Sequence, residues 1–281
     1  MRLFLTSSPC DDHVPDGVDL PCVFSERNGF VKHLRDCVSP GASLVIAAAD
    51  PDNGPLNDEM LQTFAGCFAY HGMPLTRAAV VDSRNAEALP TLLAACDVLL
   101  LAGGHVPTEN AFFRRLGLKE ALRDFKGVVI GVSAGSMNCA ELVYAQPEEP
   151  GEAVDPCYRR FVPGLGLTRV NILPHYQQVR NHRLDGMRLF EDITYGDSAG
   201  HLFFALPDGS YIVEKDGEAM LCGEGYAIRE GGIRMICHEG ETVALNLGGT
   251  SKKAACREPN RKKRIKVNKP LTQDQGTASG G

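Results

Sequence analysis

The sequence predicts an α/β protein with a three-layer α/β/α architecture, in which a mostly parallel central sheet carries antiparallel hairpins at one edge. In the first half of the chain, short apolar runs alternate with longer segments whose apolar residues recur at helical spacing. The run at residues 43–49 (SLVIAAA) is apolar throughout, which is typical of a strand buried on both faces. After residue 200, Asp-Gly and Gly-Gly pairs separate short strand-like segments, as they do in hairpins.

The first half of the chain predicts a series of strands and the helices that connect them. The strands are the apolar runs at residues 3–6, 43–49, 78–81, 97–101 and 127–132. The helices are the segments of helical period at residues 25–38, 57–71, 85–95 and 108–116, followed by one that begins near residue 136. Thr108 is expected to cap its helix, because a threonine side chain accepts hydrogen bonds from the first N–H groups. This alternation predicts parallel strands joined by crossovers.

The second half of the chain predicts a long loop and then the edge hairpins. Residues 144–166 are rich in Pro, Gly and Glu, and loops of this length often have a function. A strand is expected at residues 169–173 and a helix at residues 183–195. The strand-like segments that follow lie at residues 202–206, 211–214, 219–222, 226–229 and 233–237. We expect one folded domain at residues 1–250 and a basic, disordered tail at residues 251–281.

The charge of the chain divides at the same boundary. The formal net charge is −6, but residues 251–281 contain nine basic and two acidic residues, so the tail carries +7 and the remainder −13. An acidic body argues against nucleic acid as a partner, because a protein that binds the phosphate backbone needs clustered Lys and Arg. The run at residues 261–266 (RKKRIK) could bind nucleic acid or act as a targeting signal, and a solvated tail is the preferred interpretation.

The sequence predicts a cytoplasmic protein without a membrane segment. No stretch approaches the roughly 18 uncharged apolar residues that a spanning helix needs. The first ten residues contain only a short apolar run, too short for the core of a signal peptide. Ten cysteines are too few for a disulfide scaffold of this length, and no C-x-x-C pair is present. Reduced thiols are therefore expected, and neither a metal nor a cofactor.

The sharpest local feature is the G-x-S-x-G pattern formed by Gly131, Ser133 and Gly135 between a predicted strand and a predicted helix. In such a turn the chain reverses so tightly that glycine is needed on both sides of the serine. The serine is left exposed above the carboxyl ends of the strands, and the N–H of Ala134 can face an oxyanion. The pattern favours a nucleophilic Ser133, and the alternative is a buried turn or helix-cap serine.

A nucleophilic serine needs a base and an acid that orients the base. His175 and Asp208 both follow predicted strands, which would bring them to the same sheet edge as Ser133. The order serine, acid, histidine of α/β-hydrolases would instead use Asp208 and His238, but His238 ends a hairpin-type strand. We therefore prefer Ser133, His175 and Asp208. The alternative is that His175 is an ordinary loop residue and Asp208 only part of a turn.

At these residues the sequence resembles the peptidase E family of aspartyl dipeptidases, which shares its fold with cyanophycinase and class I glutamine amidotransferase domains. Four segments carry the resemblance: LLLAGGH at 99–105, GVSAGSMN at 131–138, NILPHY at 171–176 and LPDG at 206–209. The resemblance implies a class I glutamine amidotransferase-like catalytic domain over residues 1–250. It also implies that the family's serine, histidine and acid fall on Ser133, His175 and Asp208, with Asp208 in place of the glutamate more common in the family.

The resemblance further implies a serine exopeptidase that acts on dipeptides with an N-terminal aspartate. The N–H groups of Gly104 and Ala134 would form its oxyanion hole, with His105 next to the substrate where the family often has asparagine. A substrate aspartate needs a cation, and Arg183 is the first choice and Arg188 the second, in a region that also contains Arg180. Candidates for binding the free amine are the loop acids Glu148, Glu149, Glu152 and Asp155.

Two other functions stay open at this point. One is a cyanophycinase-like hydrolase of β-aspartyl peptides. The other is a non-catalytic sensor or binding protein that keeps the amidotransferase-like fold. Glutaminases of that fold have cysteine at the elbow, and Cys139, which lies in the following helix, cannot replace Ser133. The expected partner is a small peptide substrate rather than nucleic acid or membrane, and a homo-oligomer is left open.

Overall fold

A mostly parallel sheet forms the centre of the fold, as the sequence predicts, and it has eight strands. The computed structural model describes residues 1–11 and 13–246, so the predicted tail at 251–281 lies outside the described residues. The strands, in chain order, are β1 (Arg2–Thr6), β2 (Cys10–Asp11), β3 (Val23–Phe24), β4 (Ser43–Ala47), β5 (Arg77–Val81), β6 (Val98–Leu101), β7 (Val128–Val132), β8 (Leu142–Tyr144), β9 (Phe161–Pro163), β10 (Asn171–Leu173), β11 (Arg183–Leu184), β12 (Met187–Arg188), β13 (Phe203–Ala205), β14 (Tyr211–Lys215), β15 (Glu218–Cys222), β16 (Gly225–Arg229), β17 (Gly232–Cys237) and β18 (Thr242–Leu245).

The helices of the described chain are mostly short. They are α1 (Phe30–Arg35), α2 (Gly54–Tyr70), α3 (Leu89–Ala94), α4 (Val106–Arg115), α5 (Leu118–Ala121), α6 (Ala134–Asn138), α7 (Tyr176–Val179) and α8 (Tyr195–Asp197). Two 3₁₀ turns lie at Arg27–Gly29 and Ala86–Ala88, and a π-helical turn lies at Leu189–Thr194. None of the helices among residues 1–11 and 13–246 has the length and apolar content needed to cross a bilayer.

The central sheet is parallel over five strands and antiparallel at one edge. Its order is β18-β15-β14-β1-β7-β6-β4-β5. Strands β1, β7, β6, β4 and β5 pair in parallel, whereas β14, β15 and β18 add antiparallel pairs beside β1. Every residue of β4 and β6 is buried, which is why these segments are continuously apolar. The pairing of Thr6 with Val132, and of Leu101 with Gly131, brings the carboxyl ends of three strands together.

A second sheet, with the order β10-β13-β16-β17, departs from the prediction of a single sheet with edge hairpins. The predicted hairpin β16–β17 joins this sheet instead of the central one. Strands β10 and β13 pair in parallel, from Asn171 with Phe203 to Leu173 with Ala205. The chain segments that follow these two strands therefore leave the sheet side by side.

The segment predicted as a helix at residues 183–195 is instead a hairpin followed by a π-helical turn. Strands β11 and β12 pair antiparallel, and Asp185 and Gly186 connect them. Both connecting residues have positive φ, 51° and 84°, as two-residue hairpin turns require. The Asp-Gly pair was thus the stronger local signal, and the helical spacing of the apolar residues around it was misleading.

Two further predictions about local structure were wrong. The predicted loop at residues 144–166 is shorter, because β8 pairs with β9 and leaves residues 145–160 between them. Helix α4 begins at Val106, so Thr108 lies inside its first turn and His105 occupies the N-cap position. The Thr108 hydroxyl contacts the His105 ring instead of capping the backbone.

Candidate active site

The candidate nucleophile Ser133 lies between β7 and α6 in a backbone conformation that residues other than glycine rarely adopt. Its φ is +49° and its ψ −112°. The Ser133 N–H is directed at the carbonyl oxygens of Thr6 and Ser7, at 3.0 and 3.1 Å, and the Ser136 hydroxyl also donates to Thr6. The end of β1 therefore holds the strained turn in place.

Gly131 and Gly135 make this turn sterically possible. A Cβ on Gly135 would lie 2.2 Å from the carbonyl oxygen of Leu101, and one on Gly131 would lie 2.6 Å from the Cα of Ser136. Both obstacles are backbone atoms, so rotation of a side chain could not relieve either clash. The two glycines of the motif are thus dictated by the close approach of α6 to β6 and β7.

Ser133, His175 and Asp208 form one hydrogen-bonded series. The Oγ of Ser133 lies 2.9 Å from Nε2 of His175, and Nδ1 of His175 lies 2.7 Å from Oδ1 of Asp208. His175 follows β10 and Asp208 follows β13, and the parallel pairing of those strands sets the two residues beside each other. The three residues chosen from the sequence are therefore in contact.

Ser7 ties the last two members of this series together. Its Oγ accepts the backbone N–H of His175 at 2.7 Å and donates to Oδ1 of Asp208, also at 2.7 Å. Ser7 is buried and directly follows β1. Since His175 has a left-handed backbone conformation (φ 55°), this bond to its N–H helps to hold an unfavourable geometry.

The surroundings of Asp208 determine which nitrogen of His175 carries the proton. Oδ2 of Asp208 accepts from the amides of Gln177 and Gln178, and Oδ1 accepts from Ser7 and His175. Burial acts to raise the pKa of Asp208, but the hydrogen bonds from His175, Ser7 and Gln177 and the charge of His175 outweigh it, and the pKa is lowered. An ionised carboxylate only accepts, so Nδ1 of His175 holds the proton and Nε2 can accept from Ser133.

The Gly103–Gly104 loop after β6 packs against the serine turn. A Cβ on Gly103 would lie 3.3 Å from the Cβ of Ser133, and one on Gly104 would lie 2.7 Å from the Cβ of Ala49. On the other side of the serine, helix α6 begins at Ala134, and the first N–H groups of a helix have no acceptor within the helix. The two segments expected to supply oxyanion donors therefore flank Ser133.

His105 connects this loop to residues 145–160. Its Nδ1 lies 2.8 Å from the Thr108 hydroxyl and its Nε2 lies 2.8 Å from Oε1 of Glu152. Oε2 of Glu152 accepts the N–H groups of Glu148 and Glu149 at 2.8 and 3.0 Å. Burial acts to raise the pKa of Glu152, but these N–H groups and His105 lower it overall. The carboxylate therefore fixes the loop beside the residue that follows Gly104.

Arg183 and Arg188 face each other across the β11–β12 hairpin, and both are exposed. Arg188 forms an ion pair with Asp192 at 2.6 Å, whereas Arg183 donates to the carbonyl oxygen of Gly186 at 3.2 Å. Between them, Asp185 accepts the N–H groups of two residues of the 145–160 loop, Gly151 and Ala153. Hydrogen bonds thus connect the β11–β12 hairpin with the loop at residues 145–160, and Glu152 connects that loop to His105. We call the hairpin and this loop the rim.

Two residues weighed in the sequence analysis lie apart from the series. His238 is exposed after β17, and its N–H donates to Glu241. Cys139 is fully buried at the end of α6, where its thiol donates to the carbonyl oxygen of Gly135. Neither side chain takes part in the hydrogen bonds of Ser133.

Comparison with known proteins places this geometry in a family. The model of peptidase family S51 matches residues 47–222, which is more than half of the chain and includes Ser133, His175 and Asp208. The chain belongs to peptidase family S51. Membership of the S51 family supports a serine peptidase and confirms the resemblance on which the sequence analysis drew. No curated protein matches the sequence.

Two crystal structures similar to this S51 member confirm the fold. One is a peptidase from an acI-B1 actinobacterium, with 15% identity, 87% of this chain and 96% of that chain covered, and a TM-score of 0.61. The other is a candidate peptidase E protein from Listeria monocytogenes EGD-e, with 17% identity, 78% and 96% covered, and a TM-score of 0.52. The architecture is that of the class I glutamine amidotransferase-like fold.

Sequence reasoning missed three side chains that position the series in this S51 member. They are Ser7, Gln177 and Gln178, all bonded to Asp208. A signal for Ser7 was present, since it belongs to a polar run directly after the first strand, at the edge where Ser133 was expected. The two glutamines follow His175 in the chain, but only the pairing of β10 with β13 turns them towards Asp208.

Proposed function

We propose that this S51 peptidase is a serine exopeptidase that hydrolyses short peptides, above all dipeptides with an N-terminal aspartate. The observation that carries the proposal is the series from Ser133 through His175 to Asp208, with separations of 2.9 and 2.7 Å. A hydroxyl, an imidazole and a carboxylate in this order are the parts of a nucleophilic triad. We also assign the catalytic domain to residues 1–250.

Acylation begins when Ser133 attacks the carbonyl carbon of the scissile peptide bond. Nε2 of His175 takes the proton of the hydroxyl as the bond from Oγ to carbon forms. Asp208 keeps the other ring nitrogen protonated and stabilises the imidazolium, which is positively charged at this stage. The tetrahedral oxyanion is bound by the N–H groups of Ala134 and Gly104, which act most strongly as the charge develops.

The second half of the cycle releases both products. His175 gives its proton to the leaving amine as the carbon–nitrogen bond breaks, leaving an acyl-enzyme on Ser133. Water then attacks the ester while His175 accepts its proton, and the proton returns to Oγ as the acid product leaves. Apart from the attacking water, this cycle uses only side chains and backbone groups of the chain.

For the substrate's aspartate we assign Arg183 as the first candidate and Arg188 as the second. Asp192 already neutralises Arg188, whereas the guanidinium of Arg183 bonds only weakly to a carbonyl and is the better donor to a carboxylate. His105 borders the same rim. Glu149 and the ionised Glu152 supply negative charge for the free amine of a dipeptide, whereas burial and the charge of Glu152 raise the pKa of Glu148 to about 8 and keep it largely protonated at neutral pH.

The proposed cellular setting and partner follow from the same residues. The cysteines of the described chain are all free thiols, as in a reducing cytoplasm. The proposed partner is a small peptide, the substrate class that the proposed triad would hydrolyse. The acidic body argues against nucleic acid.

The nucleophile is tested by turnover of Asp-Leu with the wild type and Ser133→Ala. We expect the variant to lose activity by at least about a thousandfold, since it lacks the group that forms the acyl-enzyme. Ser8→Ala is a matched control, because Ser8 lies at the same strand end but bonds weakly to Cys10. Equal activity of Ser133→Ala and the wild type would contradict the covalent mechanism.

The specificity is tested by comparing Asp-Leu, Ala-Leu and Leu-Leu in Arg183→Gln and its matched control Arg188→Gln. Loss of a charge-assisted hydrogen bond should lower kcat/KM for Asp-Leu by about ten- to a hundredfold in Arg183→Gln and leave Ala-Leu nearly unchanged. Equal turnover of all three dipeptides by the wild type would contradict the aspartyl assignment. Turnover of a β-aspartyl dipeptide alone would favour the cyanophycinase-like function.

A fluorophosphonate probe separates an enzyme from a sensor. An activated serine reacts covalently with such a probe, so we expect labelling of Ser133 in the wild type and none in Ser133→Ala. A folded wild-type protein that takes no label would favour a non-catalytic binding protein.

A further inference from the structure

Three cysteines that are far apart in the sequence meet at one point of the fold. The sulfur atoms of Cys10, Cys22 and Cys67 all lie within 4.8 Å of one another. Cys67 is buried and the other two are partly buried. These thiols lie outside the Ser133 series, and nothing in the proposed peptidase mechanism uses them.

Three separate elements bring the sulfurs together. Cys10 belongs to β2, and Cys22 directly precedes β3, with which β2 pairs antiparallel. Cys67 lies in α2, and its thiol donates to the carbonyl oxygen of Cys22 at 3.3 Å. The side chain of Cys67 thus lies close to both ends of the segment between residues 10 and 22.

The packing around the thiols is close and specific. A Cβ on Gly66, the neighbour of Cys67, would lie 2.4 Å from a methyl carbon of Leu20, so this glycine leaves room for Leu20 beside the cysteines. Phe24 stacks edge-on against Phe68 with ring centroids 4.9 Å apart. An apolar wall therefore supports one side of the cluster, as is common around metal-binding thiolates.

The three thiols are close enough for one ion to contact all of them, since their sulfur atoms lie within 4.8 Å of one another. The thiolate is the form of cysteine that binds metals.

We propose that Cys10, Cys22 and Cys67 form a binding site for a soft divalent metal ion, with Zn²⁺ as the ion that fits best. Thiolates select zinc over magnesium or calcium, which prefer oxygen ligands. A zinc–sulfur bond of about 2.3 Å sets the sulfurs of one ion roughly 4 Å apart, so the observed separations need little adjustment. Zinc is commonly four-coordinate, and water fills the position that the three sulfurs leave.

Binding is an exchange of protons for the metal. Each cysteine that binds the ion releases its thiol proton to solvent as its sulfur–zinc bond forms, so the three sulfurs bind as thiolates. No electron is transferred, so the reaction needs neither an oxidant nor a reductant. Binding should therefore strengthen as the pH rises.

The bound ion would fasten the chain just after β1. It would close the loop from Cys10 to Cys22 and anchor both ends on α2, much as a covalent cross-link does. The segment it fastens begins three residues after Ser7, which bonds to His175 and Asp208. The ion would thus have a structural role close to the proposed triad and would take no part in peptide hydrolysis.

The experiment measures zinc binding to the reduced, metal-free full-length protein by competition with a chromophoric chelator. Cobalt substitution reports thiolate ligands through its sulfur-to-metal charge-transfer absorption. The variants are Cys22→Ser, Cys67→Ser and the triple serine variant, and the matched control is Cys157→Ser, which removes an exposed cysteine outside the cluster. Thermal unfolding with and without zinc is measured in parallel.

We expect one zinc per chain, a thiolate charge-transfer band with cobalt, and a rise in Tm on the order of 5–10 °C at a hundredfold excess of zinc over Kd. The cluster variants should lose binding at least about tenfold, whereas Cys157→Ser should bind as the wild type does. The cobalt spectrum of the wild type tests the proposal even where a variant fails to fold.

Three outcomes would overturn the proposal. The first is no zinc binding by the reduced wild type. The second is binding that survives in the triple variant without a thiolate band, which would point to His105, Glu149 and Glu152, whose ligand atoms also lie within 4.8 Å of one another. The third is a disulfide within the cluster in protein purified without reductant, detected as the loss of two hydrogen atoms in the intact mass.

Discussion

At the scale of the residue, Ser7 shows how one hydroxyl can hold two members of the proposed triad together. Its Oγ accepts from the backbone of His175 and donates to the carboxylate of Asp208. The imidazole is therefore fixed both through its ring and through its own backbone. A side chain with these two bonds limits the rotation that would separate His175 from Ser133.

Replacing this hydroxyl tests its role as a positioning residue. In Ser7→Ala the partly buried N–H of His175 loses its acceptor, at a cost of about 1–3 kcal/mol. If the lost hydrogen bond destabilises the transition state by this amount, kcat should decrease by about ten- to a hundredfold with little change in KM. Steady-state kinetics on Asp-Leu check the result, with Ser8→Ala as the control. A rise in KM at constant kcat would instead place Ser7 in substrate binding.

Asp208 should make the stability of the fold depend on pH. Its pKa is lower in the folded protein than the value of about 3.9 in an unfolded chain. The carboxylate therefore stabilises the fold above that unfolded pKa, and this contribution disappears as the pH falls through the lower folded pKa. We expect the Tm of Asp208→Asn to be lower than that of the wild type at pH 6–7. The difference in Tm should become smaller below about pH 4.

Circular dichroism melts between pH 3 and pH 7 check this expectation. Asp124→Asn, which changes an exposed aspartate between α5 and β7, should follow the wild type at every pH. If the difference in Tm between Asp208→Asn and the wild type is the same at every pH, the loss of stability comes from packing rather than from ionisation.

At the scale of the element, the turn from β7 to α6 depends on glycine for steric reasons. In Gly135→Ala the new methyl group would meet the carbonyl oxygens of Leu101 and Ala102. We expect the free energy of unfolding to fall by at least about 2–3 kcal/mol, since neither backbone can move away freely. Urea unfolding measures the change.

Gly196→Ala is the matched control for this turn. Gly196 lies in α8 with open space around its Cα, so an added methyl group should leave stability unchanged or raise it slightly, because alanine favours helices. Equal destabilisation by the two substitutions would contradict the steric explanation.

Elements were predictable from the sequence where their patterns were local. The buried strands β4 and β6 are continuously apolar, and two glycines predict the turn at Ser133. The β11–β12 hairpin was missed, since the helical spacing around Asp185 and Gly186 competed with their turn signal. The second sheet was also missed, because alternation of apolar residues indicates a strand but not which neighbour it pairs with.

At the scale of the whole molecule, the basic tail and the proposed triad are separate parts of the sequence. Ser133, His175, Asp208 and the rim residues all lie within the described residues 1–11 and 13–246. We therefore expect a chain that ends at residue 250 to keep the kcat/KM and the Tm of the full-length protein. A large loss of activity on truncation would show that the domain extends beyond residue 250.

The sequence by itself determined the α/β class, the parallel strands, the serine turn and the three members of the proposed triad. Each of these follows from a local pattern: an apolar run, a spacing of glycines, or a polar residue just after a strand. Tertiary structure alone decided what meets across long separations. It turned Ser7 to His175 and Asp208, joined the 145–160 loop to the β11–β12 hairpin through Asp185, and assembled three cysteines. Such contacts depend on which strands pair and which helices pack together, and the spacing of residues along the chain does not predict this.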